Sequence, residues 1–369
     1  MTAFLLFFGR GGGSEVEQRL DDIRVAIAGS VLRRAAEAGF SPVVAVTSDP
    51  QAAMAFRAAG AEALATGTDP FHLGGEVLAL ARARGLERVC AIGAGAGALL
   101  TADDLRAVRV ELEGSEALVL SNNYYSADLV AFTPASALEA IDLPATDNPL
   151  PRLLHQQAGL RSRQLERSAA TLLDVDTPAD ATVLLRHPAC PAELRDIHTW
   201  EAELGGRIDT LMGLITTADQ ELVVAGRVGA PVWTYLESQT ACRVRMLAEE
   251  RGMQAAGRDA DGSARTALGF LYESAGPVEF FEHMAELGQG MLFDSRVLFA
   301  HLGWRPSAAE RFASDLFDLP GSGTSELRAF TTAARDARVP VLLGGHTLVS
   351  GVLWTMVEAA WSGHPEPSD

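Results

Sequence analysis

The chain has no lysine: all 30 of its basic residues are arginine. Schiff-base chemistry, which needs an amine nucleophile, is therefore excluded, and so is a Walker A phosphate loop, whose terminal basic residue is lysine. Any anion must be held by arginine forks, backbone amides or a metal ion. Cysteine is scarce as well. Cys90, Cys190 and Cys242 lie far apart with no paired spacing, so neither a zinc site nor a disulfide framework is signalled, and they read as buried thiols in a reducing cytoplasm. His-x-x-x-His and Cys-x-x-Cys are both missing. The apolar start, Ala3 to Phe8, is far too short to span a bilayer and has no basic flank or cleavage site, so it reads as a first strand. Positive charge is in deficit: the net charge of -18 argues against nucleic acid and anionic membrane surfaces as partners.

What is present describes a folded α/β chain. Hydrophobic residues make up 48% and charged residues 21% of 369 residues, a globular balance at a length that suggests two domains. In the first half, strands at Ala3 to Phe8, Pro42 to Thr47 and Arg88 to Ile92 alternate with helices at Val31 to Ala38, Pro50 to Ala59 and from Ala102, the pattern of βαβ crossovers and a mostly parallel, three-layer sheet. The Pro-bearing stretch Arg186 to Pro191 marks the expected boundary between a domain at 1–186 and a second α/β domain at 192–362, with 363–369 as a frayed tail. The second half opens with a helix-like stretch, Ala192 to Ile215. It then repeats strand, small-residue turn and helix: Glu221 to Ala225 before a helix from Pro231, Val297 to Ala300 before a helix from Ser307, and Val339 to Leu343 before a helix to Trp361.

After the first strand comes Gly9-Arg10-Gly11-Gly12-Gly13-Ser14, whose glycines allow a sharp turn and bring amides close to a phosphate. Later come Gly29-Ser30-Val31-Leu32, the run Ile92 to Leu105, and Ser121-Asn122-Asn123 followed by Asp128 to Phe132. Last is Asp174-Val175-Asp176-Thr177-Pro178-Ala179-Asp180, the most specific piece. In this order the segments resemble the MobA-like and CofC-like nucleotidyltransferases over residues 1 to 186. The resemblance implies a Rossmann-like domain in which a nucleoside triphosphate lies on Gly9, Arg10, Gly11, Gly12 and Gly13 with Asn123 at the base or ribose. It also implies magnesium (Mg2+) held by Asp174 and Asp176, and a small phosphorylated acceptor in cofactor biosynthesis. A divalent ion with fixed donors suits in-line displacement at phosphorus, where negative charge concentrates.

Two departures weigh against transfer. Ala96 stands where the family carries a metal-binding aspartate, and the lysine of its glycine loop has no counterpart, leaving Arg10, Arg19 and Arg24 as substitutes. Asp-Thr-Pro is also good helix-start chemistry and Asn123 also suits a turn. In the second half, Gly226-Arg227-Val228-Gly229 at a strand-to-helix junction and His346 after Gly344-Gly345, with His301 behind it, are the candidate ligand groups. Two readings follow: a divergent nucleotidyltransferase, or a catalytically degenerate nucleotide-binding module with a regulatory or separately catalytic second domain.

Overall fold

The computed structural model describes residues 1–67, 70–146, 148–318 and 323–362; the expected tail, 363–369, lies outside them. Two compact units interleave along the chain. Unit 1 comprises Met1–Gly11, Asp21–Asp174 and Pro191–Leu194, and unit 2 comprises Gly12–Leu20, Val175–Cys190 and Arg195–Asp369.

Unit 1 contains the strands β1 (Thr2–Phe7), β2 (Val43–Val46), β3 (Glu62–Leu64), β4 (Arg88–Gly93), β5 (Leu118–Ser121), β6 (Leu129–Thr133) and β7 (Arg161–Gln164). They form one sheet in the order β3-β2-β1-β4-β6-β5-β7. All pairings are parallel except those of β6 with β4 and β5. Every residue of β1 is buried, as expected for a central strand covered on both faces, whereas β7, Arg-Ser-Arg-Gln, is polar and mostly exposed, as an edge tolerates. The flanking helices are α1 (Glu15–Glu37), α2 (Pro50–Ala58), α3 (Leu73–Arg84), α4 (Ala102–Glu113), α5 (Leu150–Gln156) and α6 (Ala169–Leu172). Local chemistry sets their starts. Asp49 accepts from the Ala52 amide at 2.6 Å with Pro50 at the first helical position, and Thr101 and Asp104 form a reciprocal capping box.

Helix α1 is far longer than the Val31 to Ala38 expected. It starts at a box the sequence carries, since the Ser14 hydroxyl accepts from the Glu17 amide at 3.2 Å while the Glu17 carboxylate accepts from the Ser14 amide at 3.2 Å. Gly29 to Leu32 consequently lie in a helix interior.

Unit 2 carries β8 (Glu221–Gly226), β9 (Arg243–Ala248), β10 (Gly290–Asp294) and β11 (Val341–Gly344), all parallel, in the order β11-β10-β8-β9. Its helices are α7 (Pro178–Leu184), α9 (Glu201–Ile215), α10 (Ala230–Gln239), α11 (Ala267–Glu286), α12 (Ser295–His301), α13 (Ala308–Asp315), α14 (Ser325–Arg335) and α15 (Gly351–Trp361); α8 (Ala192–Arg195) begins in unit 1. The expected helix Ala192 to Ile215 is thus two helices, α8 and α9. The expected strand Val297 to Ala300 is instead the body of α12. Asp294 ends β10 and accepts from the Arg296 amide at 3.3 Å, so the chain turns into helix three residues before that apolar run. Phe280, Phe281, Phe293, Phe299 and Phe330 pack with Tyr272 into one aromatic cluster, with neighbouring ring centroids 5.1 to 6.5 Å apart.

Candidate functional site

In open α/β sheets, ligands bind outside the carboxyl ends of the strands. In unit 1 that edge holds the first part of the glycine loop after β1, Gly9 to Gly11, while Gly12 and Gly13 belong to unit 2. Gly9, Gly11, Gly12 and Gly13 all avoid the left-handed region; a Cβ at Gly9 or Gly13 would meet open space, and only Gly12 is a place of close approach. What approaches is the chain's own carboxylates. The Gly11 amide donates to Asp21 Oδ2 at 2.7 Å, and a Cβ at Gly12 would run into the Glu17 carboxylate. Arg10 is pinned by Asp49 at 2.7 Å and Asp22 at 3.3 Å; its guanidinium, by hydrogen bonding, holds the Asp49 carboxyl below the usual carboxylate range. Arg24 sits 3.5 Å from Asp21. Arg19, in the segment belonging to unit 2, donates to the carbonyls of His198 at 3.0 Å and Thr199 at 2.7 Å and lies over the Trp200 ring.

Asn123 closes an Asx turn by accepting from the Tyr125 amide at 3.1 Å. Its neighbour Asn122, which the sequence reading passed over, is buried and has the larger structural role. It accepts from the amides of Asp128 and Leu129 at 3.0 and 3.2 Å and donates to the Asp128 carboxylate at 3.0 Å, fixing the start of β6. Ala96 is buried in the turn after β4, and its backbone forms an isolated antiparallel bridge with Asp174.

In unit 2, Asp176 is exposed, while Thr177 and Asp180 form the capping box of α7. Asp180 Oδ2 accepts from the amides of Asp176 at 2.9 Å and Thr177 at 2.7 Å, but its Oδ1 is buried with no hydrogen-bond partner. Burial, with the Asp176 charge adding to it, pushes this carboxyl up to about 8. Among the described residues no group of three or more His, Cys, Asp or Glu side chains could hold a metal ion.

The carboxyl edge of the second sheet is densely charged and holds two buried ion pairs. Arg227 grips Asp294 with two side-chain bonds, Nε at 2.6 Å and Nη2 at 3.0 Å, the carboxylate being wholly buried. The Arg227 fork is thus committed to Asp294 rather than offered to a ligand. Burial alone would raise the Asp294 carboxyl, yet the Arg227 guanidinium holds it below the usual range. Behind it Arg296 grips Asp315 in the same way at 2.8 and 2.5 Å. His346 is crowded by protein, and burial, reinforced by Arg227, pushes its imidazole down to about 4, so the ring is neutral at physiological pH. Its ring nitrogens make no hydrogen bond among the described residues. His301, by contrast, is a structural group: Nδ1 accepts from the Thr266 amide at 2.9 Å and Nε2 faces Glu273 at 3.4 Å.

No family model matches the chain, and no curated protein sequence does. Solved structures do show similarity. A CMP:2-keto-3-deoxy-manno-octonic acid synthetase complexed with CTP is 16% identical over 48% of this chain and 95% of that one, with a TM-score of 0.36. A cytidylyltransferase from Leptospira borgpetersenii is 15% identical over 57% and 94%, at 0.40. A nucleotidyl transferase from Methanothermobacter is 15% identical over 46% and 90%, at 0.35. Each likeness covers roughly half of this chain, and the α/β class stands on the strand order and pairing described above. Among the described residues no helix is long and apolar enough to cross a membrane.

Proposed function

We propose that the chain is a divergent nucleotidyltransferase-like protein, a nucleotide-binding module that no longer transfers a nucleotidyl group. The observation that carries this reading is the engagement of every arginine available to replace the missing lysine. Arg10 is held by Asp49 and Asp22, Arg24 by Asp21, and Arg19 by two carbonyls and a tryptophan face. A triphosphate arriving at Gly9 to Gly13 meets carboxylates where phosphoryl transfer wants cations. Losing one preorganised electrostatic group at a reacting centre costs about 2.7 to 4 kcal/mol in barrier height, so losing both the Ala96-position carboxylate and the lysine amounts to roughly a 10⁴- to 10⁶-fold deficit in rate. Calorimetric titration with each nucleoside triphosphate, with and without magnesium, beside a pyrophosphate-release assay, tests this. Binding without release is expected, and sustained release in the presence of a small phosphorylated acceptor overturns it.

One observation favours the alternative, transfer to such an acceptor in cofactor biosynthesis. The isolated backbone bridge between Ala96 and Asp174 brings an aspartate beside the turn after β4. Magnesium needs only one or two carboxylates when substrate phosphates complete its shell, and Asp174 fits that minimum; the ion would neutralise charge developing on the transferred phosphoryl group. Asp176, the second ligand the resemblance implies, falls in the other unit and is tested separately. On this alternative, Asp174→Ala or Asp176→Ala abolishes magnesium-dependent triphosphate binding, and unchanged magnesium dependence removes it.

A further inference from the structure

Between β9 and α11 the chain runs through a strap of turns, residues 249–266, that has little apolar anchorage: from Arg251 to Ser263 only Met253 is buried. Its start lies on the carboxyl edge of the second sheet. The Glu249 amide donates to the Gly226 carbonyl at 2.9 Å, and the Arg251 Nε stands 3.4 Å from where a Gly229 Cβ would be. A segment in that position covers the edge at which open α/β sheets take their ligands. Polar bonds hold it there. The Glu249 carboxylate accepts from the Ala267 amide at 2.7 Å, and the Ala260 carbonyl accepts from Arg305 at 3.1 Å. Glu250, at φ of 51°, accepts from Arg258 Nε and Nη2 at 2.9 and 2.6 Å and from the Arg265 amide at 3.0 Å. The last anchor is His301, buried at the end of α12, whose Nδ1 accepts from the Thr266 amide at 2.9 Å across 35 residues of sequence. Thr266 is also the N-cap of α11, its hydroxyl accepting from the Gly269 amide at 2.7 Å, so one imidazole fixes both the end of the strap and the start of the helix.

That bond dictates a protonation state. An Nδ1 that accepts carries no proton, so the ring proton sits on Nε2, which faces Glu273 Oε2 at 3.4 Å. A second proton has to go to Nδ1, where it sets donor against donor at a buried amide. The ring is confined: a Cβ at Gly269 would collide with it, and the Phe270 ring stands edge-on with centroids 4.7 Å apart. Among the charged groups of the elements around it, Glu273 on α11 is half exposed and favours the imidazolium. Arg296 on α12 is committed to Asp315, and in the strap Glu249 is turned to the Ala267 amide and Arg265 to the carbonyls of Gly262 and Ala264. The carboxyl end of α12 favours a cation and the amino end of α11 opposes it, so the two helix ends offset one another. An exposed carboxylate is a weak, screened partner, whereas a buried amide that loses its acceptor bears its full desolvation penalty. The amide therefore decides, and the closed strap requires the neutral ring.

We propose that His301 is a proton-operated latch: on taking up a proton it lets go of the Thr266 amide and loosens the strap and the start of α11, so that mild acid opens this cover of the second sheet. The sign is fixed by the bond itself, the strap closing as pH rises and opening as it falls. Glu250 does not open with it. Hydrogen bonds from Arg258 hold its carboxyl below the usual carboxylate range, so in mild acid the strap keeps its internal bonds and moves as one piece. The device is independent of nucleotide binding in unit 1.

The test measures amide hydrogen exchange of the full chain from pH 7 to pH 5.5, corrected for the intrinsic rate at each pH, beside NMR of the ring nitrogens of labelled histidine, with His301 assigned through His301→Asn. As the His301 ring takes up its second proton, protection of the Thr266 amide and the strap should fall about tenfold or more while β8 and β10 keep theirs. His301→Asn offers an oxygen acceptor that does not titrate and should hold the strap alike across that range. Glu273→Gln, an exposed change, withdraws the charge that favours the imidazolium and should move the release to lower pH even where the asparagine variant fails to fold. The proposal is overturned if the ring titrates with protection unchanged, or if the ring stays neutral at pH 5.5. It is equally overturned if the asparagine variant keeps the parent's pH dependence, or if Glu273→Gln leaves the midpoint of release in place or raises it.

Discussion

Asp294→Ala offers a sharp physical test of the second unit. The Asp294 carboxylate is wholly buried and accepts four bonds, from Arg227 Nε at 2.6 Å, Arg227 Nη2 at 3.0 Å, the Arg227 amide at 3.3 Å and the Arg296 amide at 3.3 Å. Removing it strands a guanidinium that is itself buried. Breaking one side of a buried pair costs about 3 to 5 kcal/mol, and a unit of this size loses about 2 to 4 °C of melting temperature per kcal/mol, so a drop of roughly 6 to 20 °C is expected. All five tryptophans, Trp200, Trp233, Trp304, Trp354 and Trp361, belong to unit 2, so fluorescence-detected melting reports that unit alone. Replacing both partners, Arg227→Met with Asp294→Leu, removes the stranded charge and should recover more than half of the loss. Asp336→Ala, which breaks the exposed pair with Arg335, should leave the melting temperature essentially unchanged. A loss below about 1 kcal/mol for Asp294→Ala, or no recovery in the double variant, would refute the account of this pair as a buried, charge-balanced clamp.

Other outcomes follow from the same geometry. Because the folded Asp180 carboxyl is pushed up to about 8, the native state holds a proton that the unfolded chain gives up near the ordinary carboxylate value, so stability should fall as pH rises between those two points. Asp180→Asn keeps an acceptor for the Asp176 and Thr177 amides and should flatten that decline in urea melts at pH 5, 7 and 8.5; an undiminished slope would assign it elsewhere. Asp294 has the opposite sign: its depressed pKa contributes stability above the ordinary carboxylate range that is lost as pH falls through the folded value. The imidazole of His346 should titrate with a midpoint near 4 by NMR in the ligand-free protein, and a midpoint of 6 or above contradicts its burial. Gly226→Ala should destabilise by about 1 to 3 kcal/mol, since it combines a positive φ with a collision against Asp294. Gly345→Ala, whose Cβ would meet Thr177 Cγ2 at an ordinary 3.7 Å, should be near neutral by chemical denaturation.

Much of the scaffold could be read in advance because it is written in local chemistry. Strands of branched apolar residues, Asp49 before Pro50, the Thr101 and Thr177 boxes and Ser307 before α13 each act within four residues. The start of α1 is written the same way, in Ser14 and Glu17, although the glycines before it suit a phosphate loop equally well. Val297 to Ala300 failed for a different reason. A short apolar run has no periodicity of its own, and the helix start rests on Asp294, whose cap on the Arg296 amide is local but whose buried pairing with Arg227, 67 residues away in sequence, is not. The candidate sites were legible as residue types and hidden as partnerships. Arginine forks look free in a sequence; only the folded chain shows Arg10, Arg19, Arg24 and Arg227 occupied and Arg251 without an ion pair among the described residues.

The interleaving of the two units also bears on how such a protein can be taken apart. The first unit includes Pro191–Leu194, where Glu193 accepts from Ser30 at 2.6 Å, while the second reaches back to Gly12–Leu20. A cut at the Pro-bearing stretch 186–191 deprives each product of a strip it folds around, whichever side of the proline it falls. Heritable shuffling of one half onto another partner meets the same obstacle, because a single crossover cannot carry either half away whole. Each unit is completed only by residues from the other side of the 186–191 stretch.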